Sequence, residues 1–198
     1  MGKFKRKSNT RHPKKVIRIY TEGKQTEPNY FNSMKNELRL SQINIQTHKV
    51  GDHTLSLVNR VIREKSREDG ETEWWIVFDR DNHDNFDNSI QKAESQGIHV
   101  AYSNESFELW FILHFKLLDR SIGRDKFQSE LSKLLGKKYE KNIDVYTLIK
   151  DREGTAIDNA KRLDKKHDKM GVKSPIKRDP STTVYKLVER LRALNTHK

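Results

Sequence analysis

The stretch WWIVFDRD, residues 74–81, joins an apolar run to two acids. Five consecutive large apolar residues, 74–78, predict a strand that is buried on both faces, as in a parallel sheet. Asp79 would then stand where the strand leaves the sheet, with Asp81 just beyond it. Ligands of open α/β sheets bind at this carboxyl edge. Two acids one residue apart at such an edge indicate a Mg²⁺ site that faces phosphate.

The composition favours a polyanionic partner. The chain has 198 residues, with 40 Lys and Arg against 28 Asp and Glu, so its formal charge is +12. That balance favours nucleic acid, with a ribosome-surface, membrane-surface or simply basic protein as the alternative. No stretch approaches the roughly 20 apolar residues of a membrane helix, and the charged N-terminus does not resemble a secretory signal. With no cysteine in the chain, we expect a cytoplasmic protein without a membrane partner.

Strand and helix patterns alternate over the first 118 residues. The predicted strands are 16–20, 43–50, 73–78 and 98–102. One predicted helix begins at Thr26, and three others span 52–68, 86–96 and 106–118. This order argues for right-handed βαβ units around a parallel sheet with a Rossmann-like arrangement. The last helix is apolar on nearly all sides, which is typical of a buried helix.

The chain divides into three predicted segments. Residues 1–15 carry seven Lys and Arg and no acid, which predicts a disordered basic tail. Residues 16–120 predict an α/β domain with a sheet of about four strands flanked by helices. Strand signals stop after residue 118, so residues 121–198 predict a helical extension packed on that domain. A second basic stretch, 161–178, is expected to be either solvated surface or a phosphate contact.

Three acids follow predicted strands. Glu22 comes after the first strand, and Asp79 and Asp81 come after the third. Because strand ends in a parallel sheet share one edge, we expect these acids to converge there. Asp79 and Asp81 would hold one hard cation, while Glu22 would move a proton or complete a second metal site. From the residues alone, a turn-forming or capping role for an aspartate is equally plausible.

Several sequence blocks resemble the RloB family, and the order strand-Glu-Gly then strand-DxD resembles a TOPRIM domain. The blocks are YTEG, TEP and YF within 20–31, FDRD with His83 within 78–83, SN, SFELW and HF within 103–115, and, more weakly, PST and LV within 180–188. They extend over most of the chain from 16 to 190. Glu105 departs from the pattern, since proline is expected before the Ser-Phe-Glu element.

The resemblance implies a TOPRIM fold and a nuclease-like site that uses Mg²⁺ or Mn²⁺. It also implies a place in bacterial anti-phage defence, beside an ATPase partner. By motif match, Glu22 corresponds to the TOPRIM glutamate, a general base or acid, and Asp79 and Asp81 correspond to the metal-holding pair. Glu108 belongs to the third block. We therefore expect a metal-dependent endonuclease acting on DNA or RNA, with Glu22, Asp79, Asp81 and Glu108 as catalytic residues and the first three as metal ligands.

Four residues have both a structural and a functional interpretation. Glu27 is either a first-turn acid that complements the helix dipole or part of the site. Glu108 lies in an apolar helix, so it is either paired, for instance with Arg80, or in the site. His114 is either a core histidine or a catalytic one. Asn104 either caps the helix or orients a site group.

Two other functions compete with a nuclease. The first is a non-catalytic module that binds nucleic acid, or an ATPase partner, through a degenerate site. The second is another TOPRIM chemistry, strand passage or primer synthesis. Strand passage needs a nucleophilic tyrosine, and neither Tyr102 nor Tyr139 has a suitable sequence context. The sequence leaves the choice between DNA and RNA, the number of metals and the oligomeric state open.

Overall fold

The computed structural model describes residues 16–47, 54–68, 70–80 and 85–195. The strands are β1 (Val16–Thr21), β2 (Ile43–Thr47), β3 (Thr72–Asp79), β4 (His99–Asn104) and β5 (Ser181–Thr182). The helices are α1 (Thr26–Glu37), α2 (Thr54–Lys65), α3 (Phe86–Ser95), α4 (Glu108–Leu113), α5 (Arg124–Leu135), α6 (Val145–Ile149), α7 (Glu153–Lys169) and α8 (Val184–Asn195), with 3₁₀ turns at Lys150–Arg152 and Pro175–Lys177. The predicted basic tail, 1–15, lies outside the described residues.

One sheet organises the described chain, in the order β2-β1-β3-β4-β5. The first four strands are parallel, and β5 is antiparallel to β4. The predicted α/β class and the predicted parallel sheet are confirmed. The prediction of about four strands was short by one, because a short fifth strand closes one edge.

Strand β3 lies in the middle of the sheet and is buried on both faces, as its apolar run predicts. Trp75 and Val77 belong to the core on one face, and Trp74, Ile76 and Phe78 to the core on the other. Successive side chains of a strand point to opposite faces, so one apolar run supplies both cores.

Helices cover both faces of the sheet. Apolar residues of α2 and α3 form one core, while the other core contains apolar residues of α1 and of α4 to α8. The connections β1-α1-β2 and β3-α3-β4 run in opposite directions along the sheet and use opposite faces. Right-handed crossovers require this arrangement. The strand order therefore reverses between β1 and β3.

Helix α4 is the most deeply buried helix segment of the site region. All six of its residues are buried, and Trp110, Phe107 and Phe111 pack with Tyr30 in an aromatic cluster. The predicted helix 106–118 is buried as expected but shorter, ending at Leu113. The Nδ2 group of Asn159 on α7 donates to the Leu113 carbonyl at 2.9 Å, so a long-range contact satisfies the backbone at this helix end.

The expectation that strand signals stop after residue 118 was wrong. Ser181 and Thr182 form β5 and pair with Asn104 and Ser103 of β4. The hydroxyls of Ser103 and Thr182 are 3.0 Å apart and hydrogen-bonded in the interior. Two polar residues have no periodicity to detect, and their strand conformation depends on a partner far away in sequence. The bounds of the other elements differ from the predicted ones by a few residues.

Within the described ranges, no helix is both long enough and apolar enough to cross a membrane.

A half-buried ion pair joins the last helix to the central strand. Glu73 of β3, whose side chain is 7% exposed, accepts hydrogen bonds from Arg190 of α8 at 2.8–3.0 Å and from the Trp75 indole at 2.8 Å. Burial acts to raise the pKa of Glu73, but these donors outweigh it, so its pKa lies below the ordinary value. This ion pair, together with apolar packing, therefore holds α8 against the sheet.

We predict that Arg190→Gln destabilises the fold near neutral pH by about 2 kcal/mol, because it leaves the buried Glu73 carboxylate without its cation. The depressed pKa means that this stabilisation is complete above the ordinary carboxyl pKa of about 4.3 and is lost as the pH falls through the folded-state value. Urea unfolding at a series of pH values measures the effect, with exposed Arg162→Gln on α7 as the control. Equal stability of the two variants near neutral pH would contradict it.

Candidate functional site

The candidate site lies at the carboxyl edge of the sheet, where the strand order reverses between β1 and β3. Glu22 directly follows β1, and its backbone amide donates to the Val77 carbonyl of β3 at 3.0 Å. Asp79 ends β3 and pairs in register with Ser103 of β4. Glu22 and Asp79 are therefore placed at neighbouring strand ends. In open α/β sheets this crevice is where ligands bind.

Glu27 brings a third acid to this edge. It lies in the first turn of α1, as the dipole interpretation requires, but its side chain is buried, with the residue 5% exposed. A Cβ atom at Gly23 would overlap the Glu27 carboxylate, so a larger residue there would displace the acid from its present position. Burial raises the pKa of Glu27 to about 7, and the nearby charges of Glu108 and Glu22 add to the rise.

Asp79 also has a perturbed carboxylate. Its side chain is 14% exposed. Burial raises its pKa well above the ordinary value, and the charges of Glu27 and Glu108 raise it further. Arg124, whose Nη2 lies 3.9 Å from Oδ2, opposes the rise. The Oδ1 atom is buried and accepts no hydrogen bond from the described residues.

Glu108 completes the group from α4, where the residue is 4% exposed. Its Oε1 accepts a hydrogen bond from the Tyr139 hydroxyl at 3.0 Å, and its Oε2 accepts one from Ser106. The suggested pairing with Arg80 is not what the structure shows. Arg80 instead donates through Nη1 to Oδ1 of Asn104 at 3.2 Å. Glu108 is thus held by two neutral donors and keeps its place among the acids.

His114 is a core residue. It is buried, its Nδ1 lies 2.9 Å from the Trp110 carbonyl, and its ring packs edge-on against the Trp110 indole. Burial lowers the pKa of His114 to about 4, so the ring is neutral at physiological pH. These contacts support the core interpretation over the catalytic one.

Asn104 holds a loop in place. Its Nδ2 donates to the carbonyls of Pro175 and Ile176 at 3.0 and 3.1 Å, while its Oδ1 accepts from Arg80. The peptide bond before Glu105, the position that departs from the resembled pattern, is cis. Asn104 therefore does not cap α4, and its contact with Arg80, the residue after Asp79, agrees with the alternative that it orients a group beside the site.

The sequence did not predict that three further side chains support the acids. Thr54, at the start of α2, donates to Oε1 of Glu22 at 2.8 Å. Tyr139 reaches Glu108 from the segment after α5, and Arg124 reaches Asp79 from the first turn of α5. Each contact joins positions at least 31 residues apart, and no local pattern reports such a pairing. The helix-start position of Thr54 is the only sequence signal among them.

The donor chemistry of the site fits a hard divalent cation. Carboxylate oxygens are the ligands that Mg²⁺ and Mn²⁺ prefer, and Asp79 offers an oxygen that no described donor satisfies. Asp81 and His83 lie outside the described residues. Within 16–47, 54–68, 70–80 and 85–195, no set of three or more acidic or histidine side chains is arranged to hold a metal ion. The described part of the chain therefore contributes Asp79 and its neighbours as candidate ligands, without a finished coordination sphere.

A family profile described as RloB-like protein matches residues 17–191. The chain belongs to the RloB-like family. The match runs from β1 into α8, so it includes the carboxyl-edge acids and the C-terminal helices alike. The predicted RloB relationship is confirmed. No curated protein and no solved structure matches this RloB-like chain.

We predict that Glu27→Gln stabilises this RloB-like protein at alkaline pH. The folded-state pKa of about 7 exceeds the ordinary carboxyl value of about 4.3, so the native protein loses stability as the pH rises between these values. Glutamine carries no charge, so the variant should gain about 3 to 4 kcal/mol over the native chain between about pH 4 and about pH 8.

Chemical unfolding in EDTA at each pH measures this gain, and exposed Glu94→Gln on α3 is the matched control. A difference between Glu27→Gln and the native chain that does not change with pH would show that Glu27 ionises normally.

Proposed function

We propose that this RloB-like protein is a metal-dependent nuclease that hydrolyses phosphodiester bonds of DNA or RNA. The observation that carries the proposal is the gathering of Glu22, Glu27, Asp79 and Glu108 at the strand-order reversal of a chain with a formal charge of +12. Buried like charges destabilise a fold unless a cation or a proton offsets them. A site that keeps such a group is therefore suited to a divalent cation and a phosphate.

Three of these acids have distinct roles in the proposed site. Asp79, together with Asp81, would hold the cation, because its Oδ1 atom has no described donor. Glu22, oriented by Thr54, would accept a proton from the attacking water. Glu108, fixed by Tyr139 and Ser106, would keep the electrostatic potential of the site negative and so attract the cation. A bound Mg²⁺ or Mn²⁺ supplies Lewis-acid polarisation of the phosphoryl oxygen and a lowered pKa for water.

Arg124 would contact the substrate phosphate. Its side chain is 47% exposed, and its Nη2 is 3.9 Å from Oδ2 of Asp79. A guanidinium can contact a carboxylate and a phosphate through different N–H groups. Arg124 would therefore orient the scissile phosphate over Asp79 and offset the charge that develops on it.

The wider setting is proposed from the family resemblance. We propose a TOPRIM-like fold, a cytoplasmic location and a role in bacterial anti-phage defence, with an ATPase as partner. The rival function is a non-catalytic module that binds nucleic acid or the ATPase. It draws on the same formal charge of +12 and does not need an intact Asp79.

We predict that Asp79→Asn abolishes metal-dependent cleavage of nucleic acid, lowering the rate by about a hundredfold or more. The same change should raise the melting temperature in EDTA, because it removes one of the mutually repelling acids. It should also remove the stabilisation that added Mn²⁺ gives the native protein through preferential binding to the folded state. Cleavage of a DNA and total-RNA mixture and thermal unfolding with and without Mn²⁺ measure these effects.

Asp158→Asn, an exposed acid on α7, is the matched control and should resemble the native protein in both measurements. Cleavage by Asp79→Asn at the native rate would refute the nuclease proposal. Absence of any cleavage, with no stabilisation by Mn²⁺, would favour the binding-module function.

A further inference from the structure

The basic stretch 161–178 is divided by the fold into two parts. On α7, Lys161 forms an ion pair with Glu189 at 2.6 Å. Arg178, at the end of the stretch, pairs with Asp168 and donates through Nε to the Val172 carbonyl at 2.8 Å. Lys161 thus links α7 to α8, and Arg178 links the turn that follows α7 back to that helix. They account for part of the basic stretch without any external partner.

The segment 172–178, here called the anchored loop, is fixed to the sheet domain at its centre. The carbonyls of Pro175 and Ile176 accept hydrogen bonds from Asn104 at the end of β4. The Ile176 amide donates to Oδ1 of Asp87 on α3 at 2.8 Å, and the Ser174 hydroxyl donates to the same carboxylate. The side chain of Ile176 packs against the core between α2, α3 and the sheet. The loop therefore has one position, set by two elements of the α/β domain.

That position is beside the candidate site. Asn104, which binds the anchored loop through its Nδ2, binds Arg80 through its Oδ1 at 3.2 Å. Arg80 is the residue after Asp79, and its backbone amide donates to the Ser103 carbonyl at 2.8 Å. A chain of direct contacts thus runs from Asp79 through Arg80 and Asn104 to the loop. The loop continues the carboxyl edge on the β4 side of the acids.

Two lysines of the anchored loop face solvent. Lys173 and Lys177 stand on either side of the fixed centre, and both are exposed. Neither forms an ion pair within the described residues, unlike Lys161 and Arg178. Cations on a fixed backbone lose little backbone freedom when they bind a phosphate, so they are effective contacts for a polyanion.

We infer that the anchored loop binds backbone phosphates of the nucleic acid that enters the carboxyl-edge site, next to the phosphate over Asp79. The inference rests on the proposed function for the identity of that nucleic acid as a substrate. The contacts are charge on phosphate, so they are independent of base sequence. They place the strand along the edge of β4, with its reacting phosphodiester at the acids.

The test measures binding without cleavage. Lys173→Gln/Lys177→Gln is compared with the native chain in EDTA by fluorescence anisotropy, with three probes: a single-stranded DNA oligonucleotide, the RNA of the same sequence and the DNA duplex. The control is Lys35→Gln/Lys92→Gln, which removes the same charge from the far ends of α1 and α3. These helices run from the carboxyl edge back toward the amino edge of the sheet.

The loop variant should bind at least one probe about tenfold or more weakly at about 0.1 M salt, with the salt slope reduced by roughly 1.4 to 1.8. The control variant should bind nearly as tightly as the native chain. The three probes distinguish DNA from RNA and single from double strands as the source of the phosphates. Melting temperatures equal to that of the native protein would establish that both variants are folded.

Three results would overturn the inference: equal loss of binding in the two variants, no loss in the loop variant, or no binding of any probe by the native protein. None of them decides the nuclease proposal, which depends on Asp79→Asn. Conversely, weakened binding by the loop variant together with a native protein that never cleaves would keep the loop as a nucleic-acid contact and reject the nuclease.

Discussion

Burial of β3 on both faces is the constraint on which the rest of the structure depends. Its apolar run requires helices on both faces of the sheet. In that sheet β1 lies next to β3, β2 lies beyond β1, and β4 lies on the other side of β3. That order creates a reversal at the carboxyl ends of β1 and β3, where Glu22 and Asp79 stand. The position of the acids is thus a consequence of how the central strand is covered.

The acids oppose the stability of the fold that holds them. Burial and mutual repulsion raise the pKa values of Glu27 and Asp79, so ionising both costs free energy that the core and the ion pairs elsewhere must offset. Arg124 reduces that cost for Asp79 without removing it, while the hydroxyls of Tyr139 and Thr54 donate to the neighbouring acids Glu108 and Glu22. Sites that bind cations or change protonation state commonly have this kind of unfavourable local electrostatics.

The sequence predicts this fold well where the signal is local and poorly where it is long-range. The run 74–78 identified the central strand, and strand-helix alternation then predicted that Glu22 and Asp79 share an edge. The sequence did not predict β5, because Ser181 and Thr182 form a strand only by pairing with β4. Glu27 has an ordinary first-turn position, and only the folded structure shows that it is buried near Glu108 and Glu22.

The contact between Tyr139 and Glu108 bears on how this family can vary. Tyr139 and Arg124 belong to the C-terminal part of the chain, yet they touch the acids of the α/β domain directly. Recombination between relatives at a boundary near residue 120 would therefore separate carboxylates from the groups that hold and balance them. In this chain, a residue at the sheet edge and the residues of the later helices that contact it therefore constrain one another.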